Sequence, residues 1–378
     1  MQKKNILILN YEFPPLGGGA GNATYYLLRS LEAFPEYHFH LVTSSVDDKR
    51  ITEFTKNCTI HFLDIHKGGN LHHQSNKDLL YYSWKSLLYS VRLHRKEKFI
   101  GIHAFFGIPC GFIAMLLRIP YIVSLRGSDV PFYNPRFSLL DTLVFSRLSS
   151  LIWKRSQMVI ANSSMLKALA TRTSPDQQIE IIYNGVDTNE FEPSAEKKDT
   201  FTIISTARLI YRKGLNYLIS GVAEFIEKQP EANIQVLLAG DGNMKVELQQ
   251  QVELLNMQHI VSFLGRKNHN ELTEIYASGD VFVLPSLSEG MSNSLLEAMA
   301  SGLAIIATDT GGTSELITEN IGYLVEKKDS QGIADALSSL YDDRQDLENK
   351  KLYSRIAAEQ MSWESVAEQY LLYYKRYF

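Results

Sequence analysis

The segment VFVLPSLSEGMSNSLLEAMASG, Val281–Gly302, reads as a buried strand, a short loop and the opening of a helix. Its apolar run Val281–Leu284 is short and uninterrupted, as in a parallel strand covered on both faces. Pro285 ends the run, and serines, Glu289 and Gly290 fill the turn before the helix. A helix start offers backbone N–H groups and a positive dipole end, which suit a phosphate or a sugar oxygen. Gly290 allows a ligand close to the backbone. Glu289 falls in the loop and Glu297 about one turn into the helix, so both carboxylates can face the same mouth. A second reading stays open for Glu297: Ser294-Leu-Leu-Glu297 is also a capping-box pattern that merely closes the helix start.

The same alternation runs outward in both directions. Strands are expected near Ile6–Asn10, Phe39–Thr43, Ile60–Leu63, Ile100–Ala104, Tyr121–Leu125, Met158–Ala161 and Glu180–Ile182. A boundary falls in 185–198, where Pro193 and a charged run break the periodicity. The pattern then restarts, with strands at Phe201–Thr206, Ile234–Ala239, Ile260–Leu264, Val281–Leu284, Ala304–Ala307 and Tyr323–Val325. Helical segments fit between them, among them 215–229, 244–255 and 330–340. This is an α/β chain of two Rossmann-like domains, 1–186 and 187–360, with ligands expected outside the carboxyl ends of the strands.

Composition agrees and narrows the class. At 378 residues, the chain exceeds one ordinary core and suits two. Residues 1–190 hold 21 Lys and Arg against 15 Asp and Glu, whereas 191–378 hold 17 against 27. A basic front and an acidic back suit different partners, although surface drift explains the split equally well. Cys58 and Cys110 stand apart from each other and from any His cluster, so neither a disulfide framework nor a metal site is expected. Reduced thiols fit a cytoplasmic protein. The stretch Phe99–Leu117 is long and apolar enough to suggest a membrane span, but Pro109 and three glycines turn it into strand, turn and helix. The segment Trp84–Lys98 sets five Lys and Arg beside Leu87, Leu88, Tyr89, Val91 and Leu93. It reads either as an ordinary surface helix or as one that meets an anionic membrane. No nucleic-acid motif is present.

Several blocks together resemble glycosyltransferase family 4. They are the Glu289-to-Glu297 spacing with Ala-Met-Ala-Ser-Gly302, Ala307–Leu316, Ile182–Asp187, Ala207–Gly214, Ala239–Gly242 and Phe263–Gly265. Six ordered blocks are specific where one alone would be weak. The resemblance implies a GT-B architecture, two domains facing across a cleft, with 361–378 crossing back onto the first. It also implies a retaining, metal-independent transfer of a hexose-type sugar from a nucleotide-sugar to a glycan or lipid-linked acceptor. Bacterial surface polysaccharide or glycolipid assembly, at the inner face of the membrane, is the setting it suggests.

Residue by residue, the resemblance gives Arg208 and Lys213 to the donor diphosphate, Glu297 to the ribose and Glu289 to sugar hydroxyls. Backbone amides from Met291, Ser292, Asn293 and Ser294 are expected to contact sugar or phosphate. Cations at a strand end stabilise the charge growing on a leaving diphosphate without a metal. Taken alone, Arg212 and Lys213 are also readable as an exposed basic turn. The loop Gly17–Gly21, with Gly18 and Gly19, resembles the family's first glycine-rich loop. Arg126 stands where many members carry His, so it and Asp129 are assigned to the acceptor side. His103 reads better as a buried strand-end histidine than as a catalytic one. Two rival classes share the outline: a nucleotide-sugar epimerase or hydrolase, and a sugar- or nucleotide-binding module without catalysis.

Overall fold

The computed structural model describes residues 3–46, 49–67, 75–133, 141–194, 199–289 and 291–378, with the backbone alone at Thr142 and Leu143. Gly290 lies outside the described residues. The chain divides into two compact units, Met1–Gly185 with Trp363–Phe378, and Val186–Ser362.

The first unit is built on eight strands: β1 Lys4–Leu9, β2 Tyr37–Ser45, β3 Arg50–Thr55, β4 Cys58–Asp64, β5 Gly101–Phe105, β6 Tyr121–Ser124, β7 Met158–Ala161 and β8 Ile179–Ile181. They lie in the order β3-β4-β2-β1-β5-β6-β7-β8. Every pairing is parallel except β3 with β4. The central strands are apolar runs because helices cover both faces; Ile6, Leu7, Ile8 and Leu9 are all fully buried. The segment Phe99–Leu117 forms β5, a turn and the helix Phe112–Leu117. No helix among the described residues is long and apolar enough to cross a membrane.

Trp363–Tyr377 forms a helix of the first unit, not the second. Its aromatic face explains the choice: Trp363, Tyr370 and Tyr374 are buried, and Trp363 stacks on Tyr26 at 5.9 Å. The last residue, Phe378, lies against Gly101, where a Cβ would come within 2.2 Å of its ring.

The second unit has six parallel strands: β9 Phe201–Thr206, β10 Ile234–Ala239, β11 Val261–Gly265, β12 Val281–Leu284, β13 Ala304–Thr308 and β14 Gly322–Val325. Their order is β11-β10-β9-β12-β13-β14. From β9 the chain winds one way through β10 and β11, then returns to wind the other way through β12 to β14. The switch therefore falls between β9 and β12, and the carboxyl ends of strands at such a switch are where open parallel sheets bind ligands. In the first unit, the corresponding switch lies between β1 and β5.

Candidate donor site

At the second unit's switch point, backbone fixes the loops before any side chain acts. Leu209 N–H donates to the Asp241 carbonyl (2.9 Å), Met244 N–H to Leu209 (2.9 Å) and Leu287 N–H to Arg212 (2.8 Å). The loops after β9, β10 and β12 are thus tied together. Such closeness leaves no room for side chains. A Cβ on Gly214 would sit 2.1 Å from the Pro285 carbonyl oxygen, and one on Gly240 1.9 Å from that of Ala207. Gly214 also has φ +64°, which glycine adopts at least cost. Thr308, at the end of β13, adds a hydroxyl that donates to the Ser286 carbonyl.

Lys213 rides on this frame. It is only 8% exposed, so the exposed-turn reading fails for it. Its ammonium meets Glu289 Oε2 at 2.6 Å, the two side chains being 10% and 13% exposed. A charge so far removed from water needs a partner, and Glu289 supplies one. Arg208 stands on the same β9 loop and is exposed. Arg212 donates to the Ser288 carbonyl at 3.4 Å.

The helix Asn293–Ala300 begins two residues earlier than a Ser294 cap requires, and Ser292 holds the N-cap position without closing it by a side-chain hydrogen bond. Ser292 and Ser294 instead share a hydrogen bond between hydroxyls at 3.0 Å. Met291 and Ser292 are buried; Asn293 and Ser294 are half-buried. The capping-box reading of Glu297 is therefore wrong, because Glu297 is the fifth residue of the helix and out of reach of its start. What holds it is Tyr276, from the helix His269–Ala277. The buried Tyr276 hydroxyl donates to Glu297 Oε2 at 3.0 Å, lies 3.3 Å from the Ser294 carbonyl, and is itself hydrogen-bonded to Thr206. Burial raises the Glu297 carboxyl above its ordinary range, with the Tyr276 hydrogen bond opposing. Sequence reasoning missed Tyr276 and Thr206; neither stands in a pattern distinct from ordinary helix or strand.

In the first unit, the loop after β1 carries the glycine run. Gly18 N–H donates to Glu12 Oε2 at 3.3 Å, and Gly19 opens the helix Gly19–Ser30. Gly17 has φ +92° and lies against Glu12, whereas a Cβ on Gly18 would meet nothing within 4 Å. Packing within the chain thus explains Gly17 but leaves open space at Gly18. Glu12 is a third residue that the sequence reading passed over; burial raises its carboxyl, against the Gly18 hydrogen bond and the charge of Lys67.

Arg126 lies over the Phe105 ring at 4.5 Å and donates to Asn184 Oδ1 at 2.7 Å. Its buried Nε finds no partner among the described residues. Asp129 accepts backbone N–H groups from Gly107 (2.7 Å), Arg126 (2.9 Å) and Gly127 (3.0 Å), so both its oxygens are engaged in shaping this loop. Burial raises its carboxyl while those hydrogen bonds lower it. His103 is wholly buried between the Tyr374 and Ser124 hydroxyls, each at 2.7 Å. Burial and the nearby Arg126 charge hold it well below the usual histidine range, so it is a neutral structural residue. Cys58 and Cys110 are buried free thiols.

Two family models match the chain in tandem. Residues 17–190 match "Glycosyltransferase Family 4" and 186–359 match "Glycosyl transferases group 1". The chain belongs to glycosyltransferase family 4. Its curated relatives include an uncharacterized glycosyltransferase of Methanocaldococcus jannaschii, 29% identical over 69% of this chain and 70% of that one. A putative teichuronic acid biosynthesis glycosyltransferase of Bacillus subtilis is 29% identical over 63% of this chain and 60% of its own length. The sulfoquinovosyl transferase of Arabidopsis thaliana is 30% identical over 67% of this chain and 51% of its own. Among solved structures, sucrose-phosphate synthase from Thermosynechococcus elongatus superposes with a TM-score of 0.83 at 22% identity, covering 99% of both chains. The Anabaena HepE protein, solved with UDP-glucose, gives 0.74 at 20% identity over 98% of this chain and 99% of that one. These likenesses make the fold GT-B, and the family makes the protein a glycosyltransferase.

Proposed function

We propose that this glycosyltransferase moves a hexose-type sugar, with retention and without a metal, from a nucleotide-sugar to a hydroxyl of a glycan or lipid-linked acceptor. The observation that carries the reading is the buried Lys213 ammonium on Glu289, beside an uncapped helix start at the switch of a parallel sheet. Such a place draws a diphosphate and a sugar together. On this reading, Lys213 and the exposed Arg208 take the charge that builds on the leaving diphosphate, helped by amides from Met291 to Ser294. Glu289 accepts hydrogen bonds from sugar hydroxyls and Glu297 from the ribose. Gly18 and Gly19 give the donor phosphates close backbone approach, while Arg126 and Asp129 serve the acceptor side.

Retention follows if the acceptor hydroxyl attacks the face that the diphosphate leaves. Its proton then passes to the departing phosphate oxygen, so no separate protein base is needed. UDP and UDP-glucose complexes of the HepE neighbour favour a uridine donor as the first to try. The teichuronic acid and sulfoquinovosyl names of the relatives point toward surface polymers and glycolipids as products.

Thermal shift with UDP-, GDP-, ADP- and CMP-sugars tests the donor site. A ligand at a hundred times its dissociation constant stabilises by about 2.7 kcal/mol. One nucleotide class should shift the midpoint, and Lys213→Ala with Glu297→Ala should abolish the shift. A flat panel would refute the reading. Donor turnover without acceptor would point to an epimerase or hydrolase, and binding without turnover to a silent module. Product anomeric configuration by NMR, and activity in EDTA, check retention and metal independence.

A further inference from the structure

We propose that the outward face of the helix Asn76–Glu97 is a docking surface for an anionic lipid membrane. The helix is amphipathic in an unusual sense. Its inner face buries Tyr82 and Leu93 but also Ser86 and Ser90, which need little room. Its outer face carries the larger apolar groups: Leu80 is 71% exposed and Trp84 62%, with Tyr81 and Leu88 also exposed. Leu80, Trp84 and Leu88 follow one another at four-residue steps, so they form one stripe. A soluble helix gains nothing from placing tryptophan and leucine in water while serine fills its core side; such a patch marks an interaction surface.

Charge decides the partner. Lys77, Arg92, Arg95, Lys96 and Lys98 are exposed on or beside the helix. Its two acids are already engaged: Asp78 caps the helix start and pairs with Lys67 at 3.2 Å, and Glu97 pairs with Lys96 at 2.9 Å. The helix Phe112–Leu117 packs beside it and exposes Leu116, with exposed Arg118 just after it. Apolar anchors with tryptophan and tyrosine among them, bordered by more cations than the two acids offset, match the interface of a bilayer rich in acidic lipid. The same charges argue against a second copy of this face as the partner, because a twofold contact would oppose cation to cation.

The sequence expectation named Leu87, Leu88, Tyr89, Val91 and Leu93, and only part of it lies on this surface. Leu88 belongs to the exposed stripe, whereas Leu93 is buried and Leu87 and Tyr89 pack onto the core. The stripe begins earlier, at Leu80.

Trp84 provides its own reporter, since Trp153 and Trp363 are buried. The full-length protein is mixed with vesicles of phosphatidylcholine alone, or with a third of the lipid replaced by phosphatidylglycerol. Sedimentation and a blue shift of tryptophan emission are expected with the acidic vesicles, weakening as salt is raised. Leu80→Ser with Trp84→Ser, and separately Arg92→Glu with Arg95→Glu, should each lower the partition about tenfold or more. All four side chains are exposed, so melting temperature should stay near that of the parent. A parent protein that ignores acidic vesicles, or variants that bind as well as the parent, would overturn the proposal. So would a parent dimer that the Leu80→Ser, Trp84→Ser variant converts to monomer. No nucleotide-sugar is present in the assay, so its outcome stands apart from that of the donor reading.

Discussion

At the scale of single residues, the site rests on two buried polar contacts with different consequences. Lys213 and Glu289 neutralise each other, so removing one strands the other. Glu289→Ala should lower stability by about 3 kcal/mol, whereas Lys213→Met with Glu289→Leu should recover most of that loss and still lack activity. Chemical denaturation of the three proteins checks it. Tyr276 acts through Glu297. Tyr276→Phe removes a hydrogen bond that favours the charged carboxylate, so Glu297 should protonate at a still higher pH. The acid limb of donor binding should therefore move upward in pH in the variant, and an unmoved limb would detach Tyr276 from the site. Here the sequence singled out Lys213 and Glu289, which the fold brings into contact, and misled about the surroundings of Glu297. Ser294-Leu-Leu-Glu297 has the letters of a capping box, but the helix starts at Asn293, which puts Glu297 beyond reach of the cap. Tyr276 could not be found in advance, because its hydroxyl meets Glu297 only through a fold that brings two helices together.

At the scale of elements, apolar runs located every parallel strand to within a few residues, since burial on both faces writes an unbroken signal. β3 was missed for the same reason inverted. Arg50-Ile-Thr-Glu-Phe-Thr55 is an exposed antiparallel edge strand, and its charges protect that edge at the expense of any core signature. Neighbouring β2 and β4 bring His40 and His61 together, Nδ1 to Nε2 at 3.1 Å. Burial first, then neighbouring positive charge on His40, lowers them to about 3 and about 4. Both are neutral in the folded chain near pH 6, while an unfolded chain protonates them near 6.5. Stability from this pair is thus full above pH 6.5 and lost as pH falls toward 4. Melting temperature measured across that window should drop, and less steeply in His61→Gln.

At the scale of the whole molecule, two sheets of one kind are joined by a chain that ends in the unit where it began. Deleting 363–378 removes buried Trp363, Tyr370 and Tyr374 from the first core and takes the Tyr374 partner from His103. Calorimetry of that truncation should show the first unit destabilised, with the transition of the Val186–Ser362 unit retained. A single unchanged transition would contradict the division. The backbone ties at Gly214, Gly240 and Gly242 carry a consequence for anyone wishing to change what the enzyme uses. Gly242 is as confined as the other two, its Cβ meeting the Leu209 carbonyl oxygen at 2.2 Å. A mutagenesis library aimed at new donors should leave these three positions, Lys213 and Glu289 untouched and spend its diversity elsewhere on the loops after β9, β10 and β12. The glycines act as rivets, and the exchangeable tooling is mounted on the loops they hold.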